Sequence, residues 1–171
     1  MKTWIALLRA VNVGGTGKLP MATLRTLCEQ AGFADVRTYI ASGNVVLRGD
    51  GAERQVKAKL EAALTSHMGK PAGVLVRTPA ELRAVHAGNP FRDSPDNRVL
   101  ALFLDDPPPA DALERARCVG AERLALGARE IYIDYRDAET MRGSKLSFPA
   151  AANGTTRNMN TVARLLEMAG D

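Results

Sequence analysis

The sequence predicts an α+β protein built from two ferredoxin-like βαββαβ-type units in tandem, the second incomplete and followed by a C-terminal helix. Three observations support this fold class. Short apolar runs of strand length alternate with segments whose apolar residues recur at helical spacing. The order of these elements repeats once along the chain. The composition is globular, with 46% hydrophobic and 25% charged residues in 171.

The first unit is predicted over residues 1–88. Residues 3–9 form an apolar run that suits a buried strand. Pro20 fits the first turn of the following helix, and Gly32 suits its end. Thr78 and Glu81 have the spacing of a capping box, in which each side chain bonds the other's backbone N–H. The elements after the first helix are predicted as strands at 36–40 and 44–48, a helix ending before Gly69, a strand at 74–77 and a helix from 79.

Residues 89–97 are polar, contain two prolines and predict a linker. The second unit follows over residues 98–171, although one compact domain remains the alternative. Asp134, Asp137 and Glu139 predict a solvated strand end. No fourth strand is predicted in this unit. Its elements are predicted as a strand at 98–104, a helix from 107 to about 119, strands at 124–126 and 131–135, a short segment at 145–150 and a helix from about 160 to 169.

Composition narrows the function classes. No apolar run reaches the roughly 18 residues of a membrane span, and residues 4–8 predict a strand rather than the core of a signal peptide. Cys28 and Cys118 are too few for a disulfide framework, so a reduced, cytoplasmic setting is expected. No His, Cys or carboxylate cluster has metal spacing, so neither a metal nor a cofactor is expected. The oligomeric state is left open.

Charge is distributed unevenly along the chain. The net charge is +4, but residues 1–88 hold 12 basic and 6 acidic residues, and residues 89–171 hold 11 and 13. A basic half attracts phosphate-bearing partners, either a small molecule or nucleic acid. A solvated basic face without a partner explains the same charge distribution.

Three polar loops are the candidate site. The first follows the first strand and is rich in glycine, so its backbone N–H groups can converge on an anion, as in a phosphate-binding loop. It is not a Walker loop, because Asn12 and Leu19 stand where that motif has glycine and Ser or Thr. The second loop combines a hydroxyl with an amide. The candidate ligand-binding residues of these two loops are Arg9, Asn12, Gly14, Gly15, Lys18, Ser42 and Asn44.

The third loop precedes the last helix. Arg157 is placed oddly there, because a cation near a helix N-terminus opposes the helix dipole. A bound anion would reverse that sign. Asn158 is a candidate N-cap and, with Asn160, completes the predicted ligand-binding set. The plainer alternative for all three loops is ordinary turn, cap and ion-pair chemistry.

Three stretches resemble a family of bacterial hypothetical proteins, domain of unknown function 1697. They are IALLRAVNVGG at 5–15 with KLPM at 18–21, YIASGNVV at 39–46, and TRNMNTV at 156–162. Their order and spacing match over most of the chain. The resemblance implies an α+β fold and selects the same three loops, and the family supplies no established activity.

The leading functional hypothesis is therefore a binding module for a phosphate-bearing ligand, a nucleotide or RNA end, in a basic and amide-rich pocket. One alternative is an enzyme in which Arg, Lys and backbone N–H groups stabilise developing charge on a phosphorylated or carboxylated substrate. Ser42 would be its only obvious nucleophile, and the sequence shows no matching base. The other alternative is a protein-interaction domain.

Overall fold

The computed structural model describes residues 1–12 and 18–170. Within these residues the chain forms two four-stranded antiparallel sheets and five α-helices, which confirms the α+β class. A 3₁₀ helix covers Pro149–Asn153. The elements are β1 Lys2–Leu8, α1 Met21–Gln30, β2 Ala34–Tyr39, β3 Asn44–Gly49, α2 Glu53–Met68, β4 Val74–Arg77, α3 Pro79–Ala87, β5 Val99–Phe103, β6 Arg123–Leu126, β7 Glu130–Asp134, α4 Ala138–Gly143, β8 Thr155–Asn158 and α5 Met159–Met168.

The chain divides into two compact units. The first comprises Met1–Leu82 with the end of the chain from Leu165, and the second comprises Arg83–Arg164. In the first unit the strand order is β2-β3-β1-β4, so β1 is central and pairs on both edges. Leu7, for example, lies opposite Asn44 of β3 and Leu75 of β4.

The core of the first unit lies between one face of its sheet and the helices α1 and α2. Alternate residues of β1 point to this face, as the period of two in a strand requires: Trp4, Ala6 and Leu8. Leu24 of α1 and Leu60 of α2 are almost fully buried against them. The helical spacing of these apolar residues predicted both helices.

Two side chains of α2 protect the outer edge of β4. The Lys57 Nζ donates to the Val74 carbonyl at 2.5 Å, and the Val74 N–H donates to the Glu61 carboxylate at 3.1 Å. Lys57 and Glu61 also pair with each other at 3.0 Å. The pair therefore satisfies backbone groups that would otherwise offer an edge for another strand.

The second sheet has the order β6-β7-β5-β8, so the prediction that this unit lacks a fourth strand was wrong. The missing strand is β8, which pairs antiparallel with β5 and places Arg157 opposite Ala101. Its four residues, TTRN, are all polar and carry no apolar signature. The ladder needs only backbone N–H and C=O groups, so the polar side chains do not prevent the pairing.

The helix predicted from 107 to about 119 is also absent. Residues 110–115 form turns, with isolated bonds such as Ala112 N–H to the Pro109 carbonyl at 2.9 Å. Three consecutive prolines remove the donors of a first turn, and Arg117 then forms an antiparallel bridge with Ser147. The few residues left between prolines and bridge are too short to sustain a helix.

Asp134 is fully buried at the end of β7, contrary to the predicted solvated strand end. Its Oδ2 accepts from Arg123 Nε at 2.7 Å and from Ser94 Oγ at 2.9 Å. Arg123 also pairs with Asp93 at 2.8 Å and lies over the Phe91 ring, 4.8 Å from its centroid. Residues 89–97, which composition predicted as a linker, are thus tied to the second sheet.

The two carboxylates that share Arg123 should differ sharply in their contribution to stability. Asp134→Ala leaves Arg123 without its buried partner, and we expect the free energy of unfolding in urea to fall by about 3 kcal/mol. Asp93→Ala removes an exposed partner of the same arginine, so its effect should be much smaller. Equal losses in the two variants would contradict the assigned role of Asp134.

Stability should also fall at alkaline pH through Cys28. Burial, with a smaller contribution from Glu29, raises the pKa of this core thiol from 9.0 to about 12. Above pH 9 the unfolded chain releases the proton and the folded chain keeps it, so unfolding becomes more favourable up to pH 12. We expect a loss of up to about 1.4 kcal/mol per pH unit from this group. Cys28→Ala should flatten the slope in urea titrations; an unchanged slope would exclude the effect.

Candidate functional site

The end of β1 meets the turn between β2 and β3. The Leu8 N–H donates to the Gly43 carbonyl at 2.8 Å, which extends the β1–β3 contact beyond the strands. Gly43 has φ +88°, and a Cβ there would lie 2.8 Å from both Leu8 Cβ and Val11 Cγ2. Only glycine fits this close approach. The first and second predicted loops therefore lie together in the first unit.

Asn12 ties these two loops with its side-chain amide. Its Nδ2 donates to the Leu19 carbonyl at 2.9 Å and to the Ala41 carbonyl at 2.8 Å. Its Oδ1 accepts from the Leu19 N–H at 2.7 Å. One carboxamide thus joins both ends of the glycine-rich segment to the β2–β3 turn, and all of these bonds are to backbone.

Asn44 has a similar framework role within the second loop. It is fully buried, and its Nδ2 donates to the Tyr39 carbonyl at 2.9 Å and to Ser42 Oγ at 3.0 Å. An amide N–H cannot accept a proton, so this contact does not activate Ser42 as a nucleophile. This bond therefore gives the enzyme hypothesis no support at Ser42.

Three non-glycine residues at this junction have positive φ, as do Asp35, Cys118 and Arg136 elsewhere in the chain. Ala10, Asn12 and Ile40 have φ values of +53°, +54° and +49°. The left-handed region costs an L-residue about 1–2 kcal/mol, although asparagine tolerates it better. Such strain persists only where the surrounding structure fixes it, and it clusters at functional sites.

A cavity of about 200 Å³ opens beside this junction. One wall is formed by Arg9, Ala10 and Val11, which follow β1, and the other by residues of the α2–β4 connection that include Lys70 and Gly73. The Arg9 N–H donates to the Gly73 carbonyl at 2.9 Å and joins the two walls. The cavity therefore places one arginine and one lysine against the same small volume.

Sequence reasoning selected Arg9 for this site and missed Lys70. Lys70 follows Gly69, which has φ +71° and ends α2. In the sequence this position is typical of a helix end and does not indicate a binding residue. Lys18 is exposed. Gly14 and Gly15, also predicted to bind ligand, lie outside the described residues.

The third predicted loop belongs to the second unit. Arg157 lies in β8 with only 7% of its surface exposed, and burial lowers its pKa to about 10. Its Nη1 donates to Thr155 Oγ1 and to the Thr156 carbonyl, both at 2.8 Å. Asn158 Oδ1 accepts from the Thr161 N–H at 2.9 Å and caps α5. Asn160 is exposed on the first turn of that helix.

Neither a membrane-spanning helix nor a metal-binding cluster is found among the described residues. Over residues 1–12 and 18–170, no helix is both long and apolar enough to cross a membrane. In the same residues, no group of three or more His, Cys, Asp or Glu side chains is arranged to hold a metal ion.

The fold is that of an α+β protein with two four-stranded antiparallel sheets, and its strained junction and cation-lined cavity lie in the first unit. A family described as "Protein of unknown function (DUF1697)" matches residues 1–132, and the chain belongs to this family. No curated protein matches it significantly. Among solved structures it is similar to the conserved bacterial protein SP0830 from Streptococcus pneumoniae, with 24% identity, a TM-score of 0.78 and 98% of each chain covered.

Asn12 should be essential to the stability of the first unit. We expect Asn12→Gly to lower the free energy of unfolding by about 2 kcal/mol, because three hydrogen bonds to backbone are lost. Asn12→Ala should cost about 1 kcal/mol more, because alanine does not relax at positive φ. Urea titrations would measure both variants beside Asn97→Ala, which changes an exposed asparagine. If all three variants match the parent protein, Asn12 does not hold the loops together.

Proposed function

We propose that this protein binds a phosphate-bearing ligand, a nucleotide or RNA end, with the phosphate in the cavity of the first unit. The observation that carries the proposal is the convergence of Arg9 and Lys70 on a volume of about 200 Å³. A planar guanidinium donates two parallel hydrogen bonds to phosphate oxygens, and an ammonium adds a compact charge. The excess of basic residues over 1–88 favours approach of the same ligands.

The predicted site residues take different roles in this proposal. Arg9 contacts the ligand directly, and Lys18 contributes to the positive field. Asn12, Ser42 and Asn44 hold the junction that forms the cavity wall, because their polar groups bond to one another or to backbone. Arg157, Asn158 and Asn160 are not assigned contacts with the phosphate, since Arg157 and Asn158 bond to neighbours in β8 and α5.

We also propose a finer description of the fold and of the cellular compartment. Each unit is ferredoxin-like, and the matching strand orders β2-β3-β1-β4 and β6-β7-β5-β8 support a duplication. The free thiols of Cys28 and Cys118 support a reduced, cytoplasmic setting.

The proposal is tested by titrating the purified protein with inorganic phosphate at moderate salt, using calorimetry. Arg9→Ala should weaken binding at least about tenfold, because a charge-assisted hydrogen bond contributes about 1.5–3 kcal/mol. Lys70→Ala should also weaken binding, and both variants should lower the dependence of the affinity on salt, because each removes a cation beside the phosphate.

Two matched controls separate a site from a diffuse basic surface. Arg25→Ala and Lys59→Ala remove exposed cations from α1 and α2 that do not line the cavity. Both should leave the affinity for phosphate unchanged. Equal losses in all four variants, or no binding by the parent protein, would overturn the proposal.

A further inference from the structure

The volume of the cavity suits one phosphate group and little more. It is about 200 Å³, which is the space of roughly seven water molecules at about 30 Å³ each. A phosphate group has five heavy atoms, so it fits together with the first atoms of the group that carries it. A diphosphate has nine heavy atoms and exceeds this space. The volume therefore favours a single phosphate.

One side of the cavity is closed by backbone. The wall that follows β1 and the wall that precedes β4 are joined by the bond from the Arg9 N–H to the Gly73 carbonyl. The β1–β4 ladder continues from this bond, with Leu8 opposite Val74. A phosphate at the end of a molecule can enter from the open side. A phosphate within a chain enters only if both of its ester substituents leave through the same opening.

The charge of the cavity matches a phosphate with two negative charges. Arg9 contributes a guanidinium and Lys70 an ammonium, and the other described residues that line the cavity, such as Met68 and Ala72, are uncharged. A phosphate monoester carries close to two negative charges at neutral pH and above, whereas a diester carries one. The second charge of the monoester is attracted by both cations, so the lining favours the monoester.

We propose that the cavity selects a terminal phosphomonoester over phosphodiesters and diphosphates. This inference rests on the proposed function, because a phosphate must first be bound at Arg9 and Lys70. It narrows the ligand class to molecules that end in a single phosphate, a mononucleotide or a phosphorylated RNA end. Cyclic nucleotides, dinucleotides joined through a diphosphate and the interior of an RNA strand are disfavoured. Lys70 supplies the second cation and is thus a specificity-determining residue.

The test compares two small probes that differ by one methyl group and one charge, monomethyl phosphate and dimethyl phosphate. Both would be titrated into the full chain by calorimetry at about pH 8, with inorganic phosphate in parallel. The parent protein should bind monomethyl phosphate at least about fivefold more tightly, because its second charge interacts with two cations that water still reaches. A 5′-phosphorylated dinucleotide should likewise bind more tightly than the same dinucleotide without its 5′-phosphate, which contains only a diester.

The exposed side chain of Lys70 allows a matched set of variants. Lys70→Gln removes the charge and should reduce the preference for monomethyl phosphate to about twofold or less. Lys70→Arg keeps the charge and should keep the preference. Lys59→Gln removes an exposed cation of α2 that does not line the cavity, and it should leave the preference unchanged. Thermal unfolding of all three variants would confirm that they are folded.

The failure of this inference is distinguishable from the failure of the proposed function. Equal affinity of the parent protein for the two methyl phosphates would overturn the inference and leave phosphate binding at Arg9 intact. Binding of inorganic phosphate without monomethyl phosphate would overturn it too, because the cavity would not accept an ester. A preference that survives Lys70→Gln unchanged would show that the second cation is not its source. If the parent protein binds none of the probes, the proposed function fails, and this inference fails with it.

Discussion

In each sheet the first strand along the chain, β1 or β5, is an inner strand that must be paired along both of its edges. Most residues of these two strands are buried. A buried backbone N–H or C=O without a partner costs about as much as a lost hydrogen bond, so the chain must return to each strand twice. In each unit one partner is the second strand of a hairpin, and the other comes later in the sequence and is β4 or β8. This requirement restricts the strand orders that each unit can adopt.

The candidate site lies where this pairing ends in the first unit. Beyond β1 the Leu8 and Arg9 N–H groups still bond to the turn before β3 and to the segment before β4. Next along the chain, Asn12 supplies side-chain bonds to the Leu19 and Ala41 carbonyls. Ala10 and Ile40, both with positive φ, lie in the segments that leave β1 and β2 at this end of the sheet. The strained positions and the cavity therefore lie at the same end of the first sheet.

Sequence patterns predicted the elements whose side-chain types reflect their burial. The apolar run of β1 and the stripe of α2 were found for this reason, and the Thr78–Glu81 capping box is present, with the Thr78 N–H donating to Glu81 at 2.8 Å. The polar strand β8 was missed because its pairing uses backbone alone. The buried Asp134 was missed because its partners Arg123 and Ser94 are distant in sequence, and an acidic strand end is usually solvated.

The candidate site shows the same limit of sequence-based prediction more clearly. Asparagine, serine and glycine serve equally as turn formers and as ligand contacts, so the sequence located the loops without separating these roles. Only the geometry shows that the carboxamides of Asn12 and Asn44 are bonded within the protein. Conversely, nothing in the letters YIASGN marks Ile40, because its unusual feature is a positive φ that its residue type does not predict. A residue whose type disagrees with its conformation is visible only in the structure, and such local conflicts are expected to concentrate where function opposes stability.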